Sequence, residues 1–258
     1  MGVPTFGTFS EAAPRGSSRR GVCPTLGVAL VVVCAVGMFI SVTCIIKGTD
    51  AMPTGWRTFG LHPVLMTLAF GFLAPVAAVS YRGLEAVLGV SHSTAKLCHG
   101  LLTMAAVLVA ALGFADMYLV HEDKKKPHFA SVHSWLGLAV LIALALQWTS
   151  GLAVFCTSSL DRLVAKATWR PTHVVVGAFV LFGGVGSICL GLLSLTAAST
   201  NPAEVLQAKY AALLALLLGL LAGFVVASPD MRTGGSEGTP LVNEPGAAPA
   251  ADRSYSPP

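Results

Sequence analysis

The sequence predicts an all-α membrane protein with six transmembrane helices. Of the 258 residues, 54% are hydrophobic and 11% are charged, and the mean hydropathy is +0.74. Six stretches without Asp, Glu, Lys or Arg are each about as long as the ~20 residues that a helix needs to cross a bilayer. Long apolar runs without alternation favour helices over a β-barrel, because backbone polar groups in hydrocarbon need internal partners. The runs cover 21–46, 58–81, 97–115, 129–160, 171–203 and 210–229.

These runs define six helices in chain order. The first follows Arg15, Arg19 and Arg20, and its apolar part is too long for a signal peptide, so we expect a retained signal anchor. The helices together form a predicted transmembrane domain over 23–228. Their expected bounds are about 24–46, 60–81, 96–120, 131–156, 171–198 and 207–227.

The distribution of Lys and Arg predicts that both termini face the cytosol. Six crossings put the N-terminal tail, 1–22, and the C-terminal tail, 229–258, on one side, and the loops and tails of that side hold ten of the 16 Lys and Arg residues. The C-terminal tail is rich in Pro, Gly, Ser and Ala, which predicts disorder. The net charge of +4 is therefore a topology signal, and no nucleic-acid partner is expected.

Histidines occur once in each of helices two to five, near the start of the apolar run. Successive helices cross in opposite directions, so the histidines of helices two and four are level, as are those of helices three and five. Neighbouring histidines are 37 and 40 residues apart in the two helix pairs, which suggests a duplicated two-helix unit forming a four-helix core. The level pairs are His62 with His133 and His99 with His173.

Two facing imidazoles inside a helical bundle indicate a haem iron with two axial histidines. Gly137 follows His133 by one turn and Gly177 follows His173 by one turn, which leaves room for a flat ring or allows close helix packing. No C-x-x-C-H segment occurs, so the expected cofactor is two non-covalent b-type haems. They would lie about 20 Å apart along the membrane normal. Two protein ligands per iron favour electron transfer over oxygen chemistry.

The segments around these histidines resemble those of the cytochrome b561 family, and more closely its cytochrome b561 domain-containing, D2-like branch. The resemblance covers roughly residues 25–227, and the "HPVLM" block is its most diagnostic part. The matching segments, in order, are "LHPVLMTLAF", "KLCHGLL", "SVHSWLG" and "RPTHVVVG".

The resemblance implies a transmembrane reductase with two haems. It would take electrons from cytosolic ascorbate and deliver them across the membrane to monodehydroascorbate radical or a ferric chelate. By position, His99 and His173 would ligate the cytosolic haem, and His62 and His133 the non-cytosolic haem. A homodimer is a further family expectation. The membrane itself stays open: endoplasmic reticulum, endosome, lysosome, another vesicle or plasma membrane.

Cationic side chains near the cytosolic histidines are candidates for binding anions. Lys96 and Arg170 each precede a histidine by three residues, so they would project from the same helix face one turn outward. They are expected to bind ascorbate or the haem propionates, or to anchor the helices at the interface. Arg82 and Lys166 are weaker members of the same set.

Four other polar residues lie in or beside the predicted helices, outside the histidine pairs. His121 and His128 in "HEDKKKPH" are acceptor-side candidates for a ferric complex, although a solvated charged loop is the simpler explanation. Asp116 is expected at the non-cytosolic interface, and Gln147 is expected to hydrogen-bond a neighbouring helix or a haem edge.

Three other classes of protein were considered. A reductase core fed by NADPH and flavin needs a nucleotide-binding domain, and no GxGxxG segment occurs. A histidine-lined transition-metal or proton transporter usually has intramembrane carboxylates and broken helices, whereas these runs look unbroken. The third class is a tetraspan-like scaffold in which the histidines only pack against neighbouring helices.

Overall fold

A computed structural model describes residues 24–48, 55–156, 166–197 and 199–228, and all regular structure among them is helical. Within these described ranges, six helices are long and apolar enough to cross a membrane, which confirms the predicted fold class. The predicted tails, 1–22 and 229–258, lie outside the described residues. The helices are α1 Pro24–Gly48, α2 Leu61–Leu88, α3 His92–Asp123, α4 Val132–Cys156, α5 Lys166–Thr196 and α6 Pro202–Ala227.

Several helices extend past the apolar runs that predicted them. Helix α2 continues to Leu88 instead of 81, and helices α3, α5 and α6 begin four or five residues earlier than 96, 171 and 207. Helical hydrogen bonds do not stop where the hydrocarbon ends, because polar side chains at the ends are solvated at the interface. Local capping sets the actual ends.

Capping residues explain three of these helix ends. The Ser91 hydroxyl accepts from the backbone N–H of Thr94 at 3.2 Å at the start of α3. The Asn201 amide oxygen accepts from the N–H of Ala203 at 3.0 Å, with Pro202 at the first helical position of α6. Gly89 ends α2 in the left-handed region, at φ 64°, where glycine has no steric penalty.

Helix α2 is not regular throughout. Thr67–Leu73 is a π-helical segment, so the run that looked unbroken in sequence contains a local widening. Pro75 lies two residues after the end of this segment, and a proline lacks an N–H and crowds the carbonyl four residues earlier, here that of Gly71. An extra residue in the turn relieves that crowding, and the helix still spans as one unit.

Helices α2, α3, α4 and α5 form the predicted four-helix core. Each packs against the next, and α5 closes on α2, so α2 faces α4 and α3 faces α5 across the centre. Helices α1 and α6 pack against each other, and they contact the core through α2 and α5. This arrangement puts the histidine-bearing helices around one common interior.

The contact between α1 and α6 follows a heptad pattern on both helices. Alternating steps of three and four residues are typical of left-handed packing, and small residues let two backbones approach closely in a membrane. The α6 stripe is mostly alanine. The buried residues that follow the heptad steps are Val31, Ala35, Met38, Val42 and Ile45 on α1, and Ala208, Ala211, Ala215, Leu218, Ala222 and Val225 on α6.

Gly183 lets α4 and α5 approach at the middle of the bundle. A methyl group added there would lie 2.7 Å from Cγ2 of Val140, which is fully buried. We expect Gly183→Ala to destabilise the fold by about 1–3 kcal/mol, as overpacking does in other cores. Gly186→Ala is the matched control, since its methyl would lie 3.7 Å from Leu136. Unfolding in a detergent titration measures both variants, and equal stability would contradict this packing.

Candidate functional site

Two pairs of imidazole rings face each other across the four-helix core. The ring centroids of His62 on α2 and His133 on α4 are 6.1 Å apart. Those of His99 on α3 and His173 on α5 are 6.4 Å apart. The structure therefore brings together the same pairs that helix direction predicts.

The ring separations fit a metal ion held between two imidazoles. A metal bound at about 2.0–2.1 Å to one nitrogen of each ring, on opposite sides, puts the two centroids about 6 Å apart. Both observed separations are close to that value. The ring planes are inclined at 87° and 67°, so the rings meet edge to face and do not stack in parallel. No hydrogen bond joins the two rings of either pair among the described hydrogen bonds.

Three of the four imidazoles are oriented by a backbone carbonyl of the neighbouring helix. His62 Nδ1 lies 3.0 Å from the Gly113 oxygen, and His99 Nδ1 lies 2.8 Å from the Ala77 oxygen. His133 Nδ1 lies 2.9 Å from the Ser187 oxygen. A carbonyl only accepts, so each Nδ1 carries the proton and each Nε2 has a free lone pair. This is the second hydrogen bond that metal-binding histidines usually make.

His173 differs from the other three. Its Nδ1 is buried and finds no hydrogen-bond partner among the described residues, and the same holds for Nε1 of Trp169, one turn earlier on α5. The backbone carbonyl of His173, in contrast, accepts from Gln147 Nε2 at 2.5 Å. Gln147 thus bonds a neighbouring helix, which is one of the two roles expected for it.

The two pairs lie at opposite ends of the core. Each helix carries its own histidine at one level and, 14 or 15 residues along, the residue that contacts the other pair's histidine. At about 1.5 Å per residue, the two levels are about 21 Å apart along the helices. The four intervals are His62 to Ala77, His99 to Gly113, His133 to Gln147 and His173 to Ser187.

The histidines of one pair are deeper in their helices than sequence suggested. His62 and His133 are the second residues of α2 and α4, but His99 and His173 are the eighth residues of α3 and α5. The prediction of one turn from each helix start is wrong for the second pair, because α3 and α5 begin with polar turns outside the apolar runs. In both repeats, α2 with α3 and α4 with α5, the first histidine is the second residue of its helix and the second histidine is the eighth, which is consistent with a duplicated two-helix unit.

Two glycines that sequence reasoning missed make room for the imidazoles. A methyl group at Gly191 would lie 3.0 Å from Cε1 of His133, and one at Gly151 would lie 3.1 Å from Cε1 of His173. Each glycine is 18 residues after the histidine of its own helix. This equal spacing in α4 and α5 is the feature of the sequence that could have indicated both glycines.

The two glycines that were predicted beside a haem face the contact between α4 and α5. A methyl group at Gly137 would lie 3.2 Å from Ser187 Oγ, and one at Gly177 would lie 3.1 Å from Gln147 Nε2. Close helix packing accounts for both glycines directly, and their contact with a haem stays a prediction.

The predicted cations have different surroundings. Lys96 is half-buried and its ammonium donates to the carbonyl of Phe155 near the end of α4. Arg82 is half-buried on α2, and Arg170 is exposed on α5. The side chain of Lys166 lies outside the described residues, although its backbone starts α5.

The acceptor-side histidines form a small cluster at the opposite end. Their ring centroids are 5.5 Å apart, and His128 stacks on Tyr118 at 4.2 Å. His128 Nε2 lies 2.7 Å from a Glu122 oxygen, and His121 Nδ1 lies 3.1 Å from the Pro127 oxygen. The cluster is therefore ordered by its own contacts, in addition to being charged.

Asp116 on α3 is buried within the protein, and its place at the membrane interface stays a prediction. The residue has no exposed surface, and Oδ1 accepts from the backbone N–H of Arg57 at 2.6 Å. The Arg57 side chain pairs with Asp123 at 3.0 Å. The segment before α2 covers this end of α3 and holds the carboxylate, which helix position alone did not reveal.

A membrane-spanning four-helix core defines the class of this protein: an integral membrane helical bundle with two sites that each present a pair of facing imidazoles. Comparison with known proteins places the chain more narrowly. The family model of eukaryotic cytochrome b561 matches residues 61–198, and the chain belongs to that family. Membership implies a b-type haem as the cofactor.

Several relatives have informative names. The chain is 30% identical over 207 residues to the lysosomal membrane ascorbate-dependent ferrireductase of Bos taurus, covering 71% of this chain and 77% of the relative. It is 27% identical over 180 residues to the transmembrane ascorbate-dependent reductase of Mus musculus, covering 67% and 70%. It is 31% identical over 135 residues to transmembrane ascorbate ferrireductase 1 of Arabidopsis thaliana, covering 52% and 54%.

Proposed function

We propose that this chain is an ascorbate-dependent transmembrane oxidoreductase with two b-type haems. It takes electrons from cytosolic ascorbate and reduces monodehydroascorbate radical or a ferric chelate on the other side. The observation that carries the proposal is the presence of two imidazole pairs, with centroids 6.1 and 6.4 Å apart, at opposite ends of one membrane-spanning core. The relatives named above are ascorbate-dependent reductases and ferrireductases.

The chain's own residues have defined tasks in this proposal. His62 and His133 would hold one haem, and His99 and His173 the other. A bound haem supplies a one-electron carrier whose iron alternates between ferric and ferrous states. Each histidine pair would supply two protein ligands to its haem, which favours electron transfer over oxygen chemistry. The apolar core between the two levels excludes water and other acceptors.

The proposed orientation puts both termini and the His99–His173 pair on the cytosolic side. The Lys and Arg distribution supports it, since ten of the 16 belong to that side. Lys96, Arg170, Arg82 and Lys166 would then bind ascorbate or propionates there, and His121 and His128 would meet the acceptor at the other end.

A histidine-lined ion transporter is the alternative from a different class. It would bind ions directly, without haem. Among the described residues, no group of three or more His, Cys, Asp or Glu side chains is placed to hold a metal ion. Two imidazoles per level fit a haem iron better, because the porphyrin supplies the remaining ligands.

An absorption spectrum of the detergent-purified protein tests the proposal. We expect a b-type α band and a Soret shift on adding ascorbate to the oxidised protein, with about two haems per polypeptide. A pyridine haemochrome assay against amino-acid analysis gives the ratio. A protein without haem after purification from haem-supplemented cells would contradict the proposal and favour the transporter.

A further inference from the structure

A carboxylate, an imidazole and a phenol lie in series beside the His99–His173 pair. His92, the first residue of α3, has Nδ1 2.5 Å from Glu85 Oε1 on α2. Its Nε2 is 3.5 Å from the Tyr81 hydroxyl. The Tyr81 ring in turn makes edge contacts, at centroid distances of 5.5 Å, with both His92 and His99. The series thus reaches from the surface of the bundle to a candidate haem ligand.

The carboxylate fixes which nitrogen of His92 can accept a proton. An ionised carboxylate only accepts hydrogen bonds, so Nδ1 of the neutral ring carries the hydrogen and Nε2 has a free lone pair. The Glu85 side chain is 12% exposed, whereas that of His92 is 61% exposed. A mostly buried anion therefore orients an exposed imidazole whose Nε2 faces the Tyr81 hydroxyl at 3.5 Å, a contact at the long limit of a hydrogen bond that the O–H of a bound donor can replace.

We propose that His92 is the base that takes the proton ascorbate loses when it gives up an electron, and that Glu85 positions it. This inference rests on the proposed function. Among the described residues, the titratable group that contacts His92 besides Glu85 is Tyr81. Lys96 lies one turn along α3, with its ammonium at the Phe155 carbonyl, and a cation at this end of the helix suits an anionic donor.

In the proposed step, one electron and one proton leave ascorbate together. The ascorbate monoanion loses one electron and one proton, and its O–H bond breaks as an N–H bond forms at Nε2 of His92. The electron would be accepted by the haem that His99 and His173 would hold, which supplies a one-electron acceptor. Monodehydroascorbate radical leaves, and the imidazolium is balanced by the Glu85 carboxylate until it releases the proton to water.

Stopped-flow reduction of the haem-loaded protein tests the inference with two donors. We expect His92→Gln to slow reduction by ascorbate at least about 10-fold, since general bases contribute that much or more. Reduction by hexaammineruthenium(II), which gives an electron without a proton, should be unchanged. Ser93→Ala, a neighbouring exposed residue, is the control and should match wild type with both donors. Added imidazole should partly restore His92→Ala.

A second readout does not depend on activity. Nitrogen-15 NMR of histidine-labelled protein, with the His92 signals assigned by their loss in His92→Gln, should show hydrogen on Nδ1 in wild type and a mixture of tautomers in Glu85→Gln. Unchanged ascorbate kinetics in His92→Gln would overturn the inference, and so would equal slowing with both donors. If the proposed function itself were wrong, the result would be distinguishable, because ascorbate would then fail to reduce the wild-type protein.

Discussion

Replacing His99 or His173 by alanine should abolish reduction by ascorbate from the cytosolic side, whereas replacing His62 or His133 should leave that first reduction largely intact. The two pairs are about 21 Å apart along the helices, so each variant removes ligands at one level only. With His62 or His133 replaced, electrons should enter the protein but fail to reach an acceptor across the membrane. Stopped-flow absorbance measures entry, and reduction of a trapped acceptor in sealed vesicles measures exit.

This experiment has an internal control in the comparison of the two pairs. Tyr210→Phe, on the exposed face of α6, is an additional control and should behave as wild type in both assays. If the variants of both pairs lost the same half of the reaction, the assignment of sides would be wrong. If none of the four changed the haem spectrum, the histidines would not be ligands.

Replacing Gly191 or Gly151 by valine should remove one haem without touching a ligand. The added side chain at Gly191 would start 3.0 Å from the His133 ring, and that at Gly151 would start 3.1 Å from the His173 ring. Each ring must then turn away from its partner across the core. We expect the haem content to fall from about two to about one per polypeptide, since a packed core has no space for the displaced ring.

The matched control is Gly37→Val on α1, where an added methyl group meets no atom within 4 Å. It makes the same chemical change in a membrane-spanning helix, and it should retain both haems. The two test variants should differ in the haem that remains: Gly151→Val should behave like His173→Ala, and Gly191→Val like His133→Ala. Full haem content in both variants would contradict the positioning role of these glycines.

Much of this architecture follows from charge and periodicity. The absence of Asp, Glu, Lys and Arg over about 20 residues marks each span, because such groups are costly in hydrocarbon. Alternating helix direction then pairs the four histidines, which needs no knowledge of packing. The pairing in the structure is the same.

What sequence did not supply depends on contacts between helices. The burial of Asp116 could not be predicted from its place on α3, because the segment carrying Arg57 covers it. The start of α3 was misjudged because capping by Ser91, not hydropathy, sets that helix end, and α5 likewise begins in a polar turn before its apolar run. Gly151 and Gly191 were missed since only the neighbouring helix shows that an imidazole lies against them.

The pairing of Glu85 with His92 shows the same limit. The two residues are seven apart and belong to different helices, joined by a short turn at Gly89. Their spacing in sequence predicts nothing, because the angle between α2 and α3 decides whether the side chains meet. Pairs of side chains from two neighbouring helices can be identified only in the structure.

Transfer of electrons through the bilayer is the central claim, and sealed proteoliposomes test it most directly. Vesicles that hold a membrane-impermeant ferric chelate receive ascorbate on the outside, and the trapped ferrous product is measured. Molecules with the His99–His173 end outward should reduce the chelate, and His62→Ala protein should not, although its remaining haem is still reduced. The claim would be contradicted if ascorbate fully reduced the haems of the wild-type protein and no ferrous iron formed inside the vesicles.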